Sequence, residues 1–111
     1  MAKQKTDGIT IERSSGNVFA DLELADAEDL KIKSGLMIEI ARAVRRFGLT
    51  QEEAGRRMGI SQAKVSGLMR GDFSNFSEQK LMECLNRLGY DIEIKVRIVK
   101  KPIGRRTLAV A

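Results

Sequence analysis

Between Thr50 and Arg70 the sequence sets out hydrogen-bonding side chains at close spacing: Thr50 and Gln51, Arg56 and Arg57, then Ser61, Gln62, Lys64, Ser66 and Arg70. These are amide, hydroxyl, ammonium and guanidinium groups, rich in donors and without a general base. A Gln amide pairs with N6 and N7 of adenine, and Lys or Arg with O6 and N7 of guanine. Each good bidentate contact discriminates by about 1 to 3 kcal/mol. Catalysis suits the residues poorly. The 111 residues include no His and one Cys, Cys84, which excludes most zinc, haem and proton-shuttle designs and any internal disulfide. No glycine-rich phosphate loop is present, and the adjacent Glu52 and Glu53 point apart on a helix, so they form no acid/base pair. Neither enzymatic activity, nor a cofactor, nor a metal is expected.

Charge supports the same direction. Residues 1–49 carry eight basic and eight acidic residues, whereas residues 50–111 carry twelve basic and seven acidic, so the net +5 arises wholly in the second part. From Ala54 to Gly71 four basic residues occur with no acid, and from Lys95 onward six occur with none. A polyanion is a natural partner for that asymmetry, because each neutralised phosphate releases counterions, although charge alone also describes a solvated face. No Trp and five aromatics argue against a base-stacking platform. No apolar stretch is long enough for membrane insertion or export, and a reducing, cytoplasmic setting is expected.

The elements that must position these groups read as helices. Residues 1–25 are polar and are expected to form a flexible N-terminal arm. Asp26, Glu28 and Asp29 suit a helix start, and Leu36, Ile40, Val44 and Phe47, flanked by Met37 and Ala41, form a buried stripe ending at Gly48. Ser34 and Gly35 leave open whether this is one helix or two. Thr50 and Glu53 make a capping box for a helix over Gln51–Met58, stopped by Gly59. Ser61 caps a helix over Gln62–Arg70, stopped by Gly71, and Ser77 caps a fourth whose apolar face is Leu81, Cys84, Leu85 and Leu88. Ala63, Ser66 and Gly67 are small enough to let the Gln62 helix sit deep in a groove.

Gly55 allows the second and third of these short helices to approach, Gly59 accommodates a left-handed turn, and Ile60, Val65 and Leu68 fill the wedge between them. That is the pattern of a helix-turn-helix. The stretch Leu49 to Gly71 resembles the lambda-repressor and Cro type, the XRE-like regulators. The resemblance implies that the helix from Gln62 enters the major groove, with Gln62, Ala63, Lys64, Ser66 and Arg70 reading bases. Thr50, Gln51, Arg57, Ser61, Ser74 and Asn75 are expected to position phosphates, with solvated-face and capping roles as alternatives for Arg57 and Ser77. Flanking segments, Val18 to Leu22, Asp26 to Leu30 and Asn86 to Ile94, are similar to the antitoxins of HigBA-like type II modules. That similarity implies a dimeric repressor of its own operon that neutralises a RelE-like mRNA interferase toxin. The alternatives are a stand-alone, prophage-type XRE regulator and a pure interaction module.

From Tyr90 the pattern changes to period two, with Ile92, Ile94, Val96 and Ile98 alternating with charged residues. A strand is expected there, paired with its copy in a homodimer or else with the segment around Ile9. The fold class expected is therefore mainly α: a lambda-repressor-like bundle of four to five helices with one C-terminal β-strand. A helix-turn-helix domain spans residues 26–99, and residues 100–111 form a basic tail.

Overall fold

In the computed structural model, the backbone is described for residues 4–6, 8–9 and 15–111 and the side chains for residues 26–111. The chain divides into two units, Met1–Leu30 and Lys31–Ala111. In the first, β1 (Gln4–Thr6) and β2 (Gly8–Ile9) pair antiparallel. Of the flexible arm expected over residues 1–25, residues 1–3, 7 and 10–14 lie outside the described residues, and residues 15–25 are helical.

The helix α1 (Ser15–Arg46) is unbroken at Ser34 and Gly35, and begins upstream of the acid-rich turn at Asp26. Gly48 ends its last turn in the left-handed region, where its N–H donates to the Arg45 carbonyl. α2 (Gln51–Met58) starts at the capping box: the Glu53 N–H donates to Thr50 Oγ1 and the Thr50 N–H donates to Glu53 Oε1, 2.8 Å away. Ser61 caps α3 (Gln62–Met69) through the Lys64 N–H, and Ser77 caps α4 (Glu78–Arg87) through the Lys80 N–H. These local bonds satisfy helix-end donors that would otherwise need water.

The core of the second unit takes one face from each helix. Leu36, Ile40, Ala43 and Val44 of α1 join Ala54 and Met58 of α2, Val65 and Leu68 of α3, and Leu81, Cys84 and Leu85 of α4, with Phe76 and Leu88 closing the ends. Phe47, expected within the stripe, is 45% exposed at the turn that ends α1, where its N–H still donates to the Ala43 carbonyl.

Of the four to five helices expected, four form among the described residues, and the C-terminal strand is corrected. The strand expected over Ile92–Ile98 is absent: residues 90–99 form no sheet ladder, and Tyr90 and Ile92 reach the core margin, while Ile94, Val96 and Ile98 are 76%, 94% and 99% exposed. A strand requires a neighbour's N–H and C=O groups, and among the described residues none pairs with it. The backbone instead bends at residues 100–103 and returns to α1, where Leu108 lies against Gly35.

Candidate nucleic-acid interface

The turn between α2 and α3 is built around two glycines. A Cβ on Gly55 would sit 2.7 Å from the Ile60 carbonyl oxygen and 3.5 Å from Val65 Cγ2, so only glycine lets α3 approach this closely. The Gly55 carbonyl accepts from the N–H groups of both Gly59 and Ile60, at 2.8 and 3.0 Å. Gly59 has φ +75°, a left-handed C-cap that any other residue would strain. Val65 and Leu68 are buried and Ile60 half-buried, which seats α3 on its inner edge. α2 packs on both α3 and α4.

Holding that edge down turns the opposite edge outward. Gln62, Ala63, Lys64 and Arg70 are exposed, with Ser66 and Gly67 half-buried beside them. Arg70 Nη1 donates to Ser66 Oγ at 2.6 Å, which holds the guanidinium along the helix. The Lys64 ammonium lies 5.9 Å from the centre of the Phe76 ring, over the following loop. Four of the five expected base-reading residues thus lie on α3, and Arg70 is its C-cap, one residue beyond the helix end; all but Ser66 are exposed.

The expected phosphate-positioning residues surround it less uniformly. Thr50 and Gln51 stand exposed at the start of α2, with the Thr50 hydroxyl engaged in the cap. The bond from the Thr50 backbone N–H and then that involving its hydroxyl hold the Glu53 carboxyl below the usual carboxylate range. Ser61 accepts the Lys64 N–H as a cap. In the loop after α3, Ser74 donates from both its hydroxyl and its N–H to Asp72 Oδ1, which lowers the Asp72 pKa, and Asn75 is exposed beside it.

Arg57 is placed apart from these. Its guanidinium lies over the Phe47 ring, 5.4 Å from the centroid, and donates to the Leu88 carbonyl. Arg87 returns the contact, its Nε donating to the Arg57 carbonyl at 3.0 Å while its guanidinium covers Gly59. The two arginines join the end of α2 to the end of α4. Sequence reasoning missed this clamp, since residues thirty positions apart share no local period. Arg56 forms an exposed i,i+4 pair with Glu52. Among the described residues, no cluster of potential metal ligands occurs, and no helix is long and apolar enough to cross a membrane.

This arrangement has counterparts among known proteins. Residues 18–97 match the family described as a helix-turn-helix domain. A solved structure of an XRE-family transcriptional regulator is 34% identical, with a TM-score of 0.72, covering 78% of this chain and 99% of its own. No functionally curated protein is significantly similar. A capped hairpin of two short helices, closed by Gly55 and Gly59 and matched over most of the chain in both comparisons, places the protein in the XRE-type helix-turn-helix family of transcription regulators.

Proposed function

We propose that the protein is a sequence-specific, DNA-binding transcriptional repressor that acts as a homodimer on an operator, with α3 in the major groove. The observation that carries this reading is the outward edge of α3, where Gln62, Lys64 and Arg70 project from a helix anchored by Val65 and Leu68. Gln62, Ala63, Lys64, Ser66 and Arg70 read bases. Thr50, Gln51, Ser61, Ser74 and Asn75 position the phosphate backbone, aided by N–H groups at the start of α2. Arg57, drawn onto Phe47 and Leu88, contributes by setting the angle of α2. Two copies join through Ile92, Ile94, Val96 and Ile98, of which the exposed Ile94, Val96 and Ile98 would each gain up to about 1.5 to 3 kcal/mol on full burial.

The partner proposed for the dimer is a RelE/HigB-like toxin encoded beside it, the protein serving as antitoxin and repressing the shared operon. The support is the likeness of the sequence segments flanking the hairpin, Val18 to Leu22, Asp26 to Leu30 and Asn86 to Ile94, to such antitoxins. One observation favours the alternative, a stand-alone regulator: from Lys95 on there are six basic residues and no acid, a poor complement to a small basic toxin. Purification from the native host, with identification of what travels with the protein, separates the two.

The DNA reading is tested by selecting a binding sequence and measuring affinity against salt. Affinity should fall steeply with salt, and half-sites should repeat at about 34 Å or a multiple of it. Gln62→Ala should relax preference at particular base pairs, whereas Gln51→Ala should weaken every sequence alike. Equal losses on all sequences from Gln62→Ala would remove Gln62 as a reader, and salt-independent binding would favour a protein-interaction module.

A further inference from the structure

The C-terminal tail has a seat on the body of the protein. Leu108 lies where a Cβ on Gly35 would be, 2.6 Å from that position, so the missing side chain forms a notch in α1. Ile32, Gly35 and Ile38 on α1, with Thr107, Leu108 and Val110 on the tail, line a cleft of about 370 Å³. Arg106 pairs with Glu78 in the first turn of α4, which fixes the register of the tail. Between this seat and the core, residues 91–99 stand out as an arm whose apolar side chains Ile94, Val96 and Ile98 touch little.

We propose that in the dimer each seat on α1 is filled by the tail of the second copy, so that the two chains exchange their C-terminal segments. The inference rests on the dimer reading above and extends it. If two arms pair antiparallel about a two-fold axis centred on Lys95, Val99 of one copy lies opposite Asp91 of the other. An arm of this length spans about 26 Å at 3.3 Å per residue. Each arm therefore delivers its end at the point where the partner's body begins, and far from its own. In the single chain, the tail reaches α1 only because the backbone reverses at residues 100–103. In the pair, a straighter path leads to the identical notch and the identical Glu78 on the partner. The contacts are already shown to fit, because they form here within one chain, and exchange of identical elements adds no new chemistry. Six basic residues between Lys95 and Arg106 would then cross the two-fold axis together.

The experiment uses the full chain with Ile38→Cys and Val110→Cys, linked by a short bismaleimide and run on a denaturing gel beside sedimentation of the unlinked protein. Cys84 is buried and burial pushes its thiol pKa up, so it stays silent; each single variant alone checks that no other pair links. Exchange predicts a dimer in solution and a covalent dimer on the gel. A dimer in solution with only intrachain links overturns exchange while leaving the dimer intact, as does a dimer giving no link at all. A monomer in solution removes both readings. Gly35→Val provides a second measurement, since it fills the notch without weakening helix propensity. It should weaken the dimer at least roughly tenfold under exchange, and leave dimerisation unchanged if the tail sits on its own chain.

Discussion

Replacing Gly55 by alanine sets two effects of known size against each other. In the middle of a helix, alanine is favoured over glycine by about 0.8 to 1.0 kcal/mol. At Gly55, however, the new methyl would meet the Ile60 carbonyl oxygen at 2.7 Å, and the obstacle is backbone in a turn already fixed by two hydrogen bonds. Relief requires α3 to move away from α2 by several tenths of an ångström, and overpacking of this kind costs about 1 to 3 kcal/mol. The matched control is Gly67→Ala in α3, a helix of the same length, where the nearest atom to the added Cβ is the Asp72 carbonyl oxygen at 3.8 Å, an ordinary contact. Subtracting one from the other removes most of the propensity gain and leaves the steric cost. Gly55→Ala should therefore melt below Gly67→Ala by about 1 to 3 kcal/mol, with each kcal/mol worth roughly 4 to 8 °C at this chain length. Thermal unfolding followed by circular dichroism measures the difference. If Gly55→Ala proves as stable as Gly67→Ala, the close approach of α2 and α3 does not depend on that glycine, and the steric account of the hairpin fails.

Arg87→Ala should cost about 1 kcal/mol in denaturant unfolding by removing the donor to the Arg57 carbonyl at the end of α2; an unchanged midpoint would show that the clamp contributes nothing. Ser61→Ala should cost a similar amount through loss of the α3 cap, and should also weaken DNA binding, because the helix proposed to read bases starts there. Acid should destabilise the fold in a defined direction. Glu53 and Asp72 are held below their ordinary pKa by hydrogen bonds made in the fold, so their stabilisation is full above the unfolded carboxylate range near pH 4 and is lost as pH falls through the lower folded values. The double variant Glu53→Gln/Asp72→Asn should then lose less stability between pH 5 and pH 2 than the parent; parallel pH curves would contradict this.

The helical part of the fold was legible because its signals are local. Thr50 with Glu53, Ser61 and Ser77 each act within one turn, and α2, α3 and α4 start where these residues place them. The outward edge of α3 follows from helical arithmetic once Val65 and Leu68 are known to face inward. Phe47 shows where periodicity alone fails: the spacing continues past the end of α1, but the helix does not, and the ring receives Arg57 instead of entering the core. The contact of Lys64 with Phe76 and the clamp of Arg57 with Arg87 depend on tertiary approach, for which a linear pattern has no term. The alternation from Ile92 to Ile98 sets apolar residues on one face in the sequence, but no strand forms there. It could not indicate what covers that face, since the ladder of a strand is supplied by another segment.

The same arm bears on why one copy would not suffice. The eight-residue α3 and its C-cap present three long donors, Gln62, Lys64 and Arg70. If all three make good base contacts, they supply about 3 to 9 kcal/mol of discrimination, against the roughly 4 to 10 kcal/mol that separates specific from non-specific binding. Ser66 ties up part of the Arg70 guanidinium, which pulls a single helix toward the lower figure. Doubling the helix restores the margin, but only when the distance between the two copies of α3 is fixed to the helical repeat of DNA. A pair of free monomers would forfeit that gain to the entropy of binding twice. Arms joined through Ile94, Val96 and Ile98 would fix the distance, and seating each tail in the Gly35 notch would keep the two bodies from pivoting about the joint. Selectivity in this protein would thus depend on residues far along the chain from those proposed to touch bases.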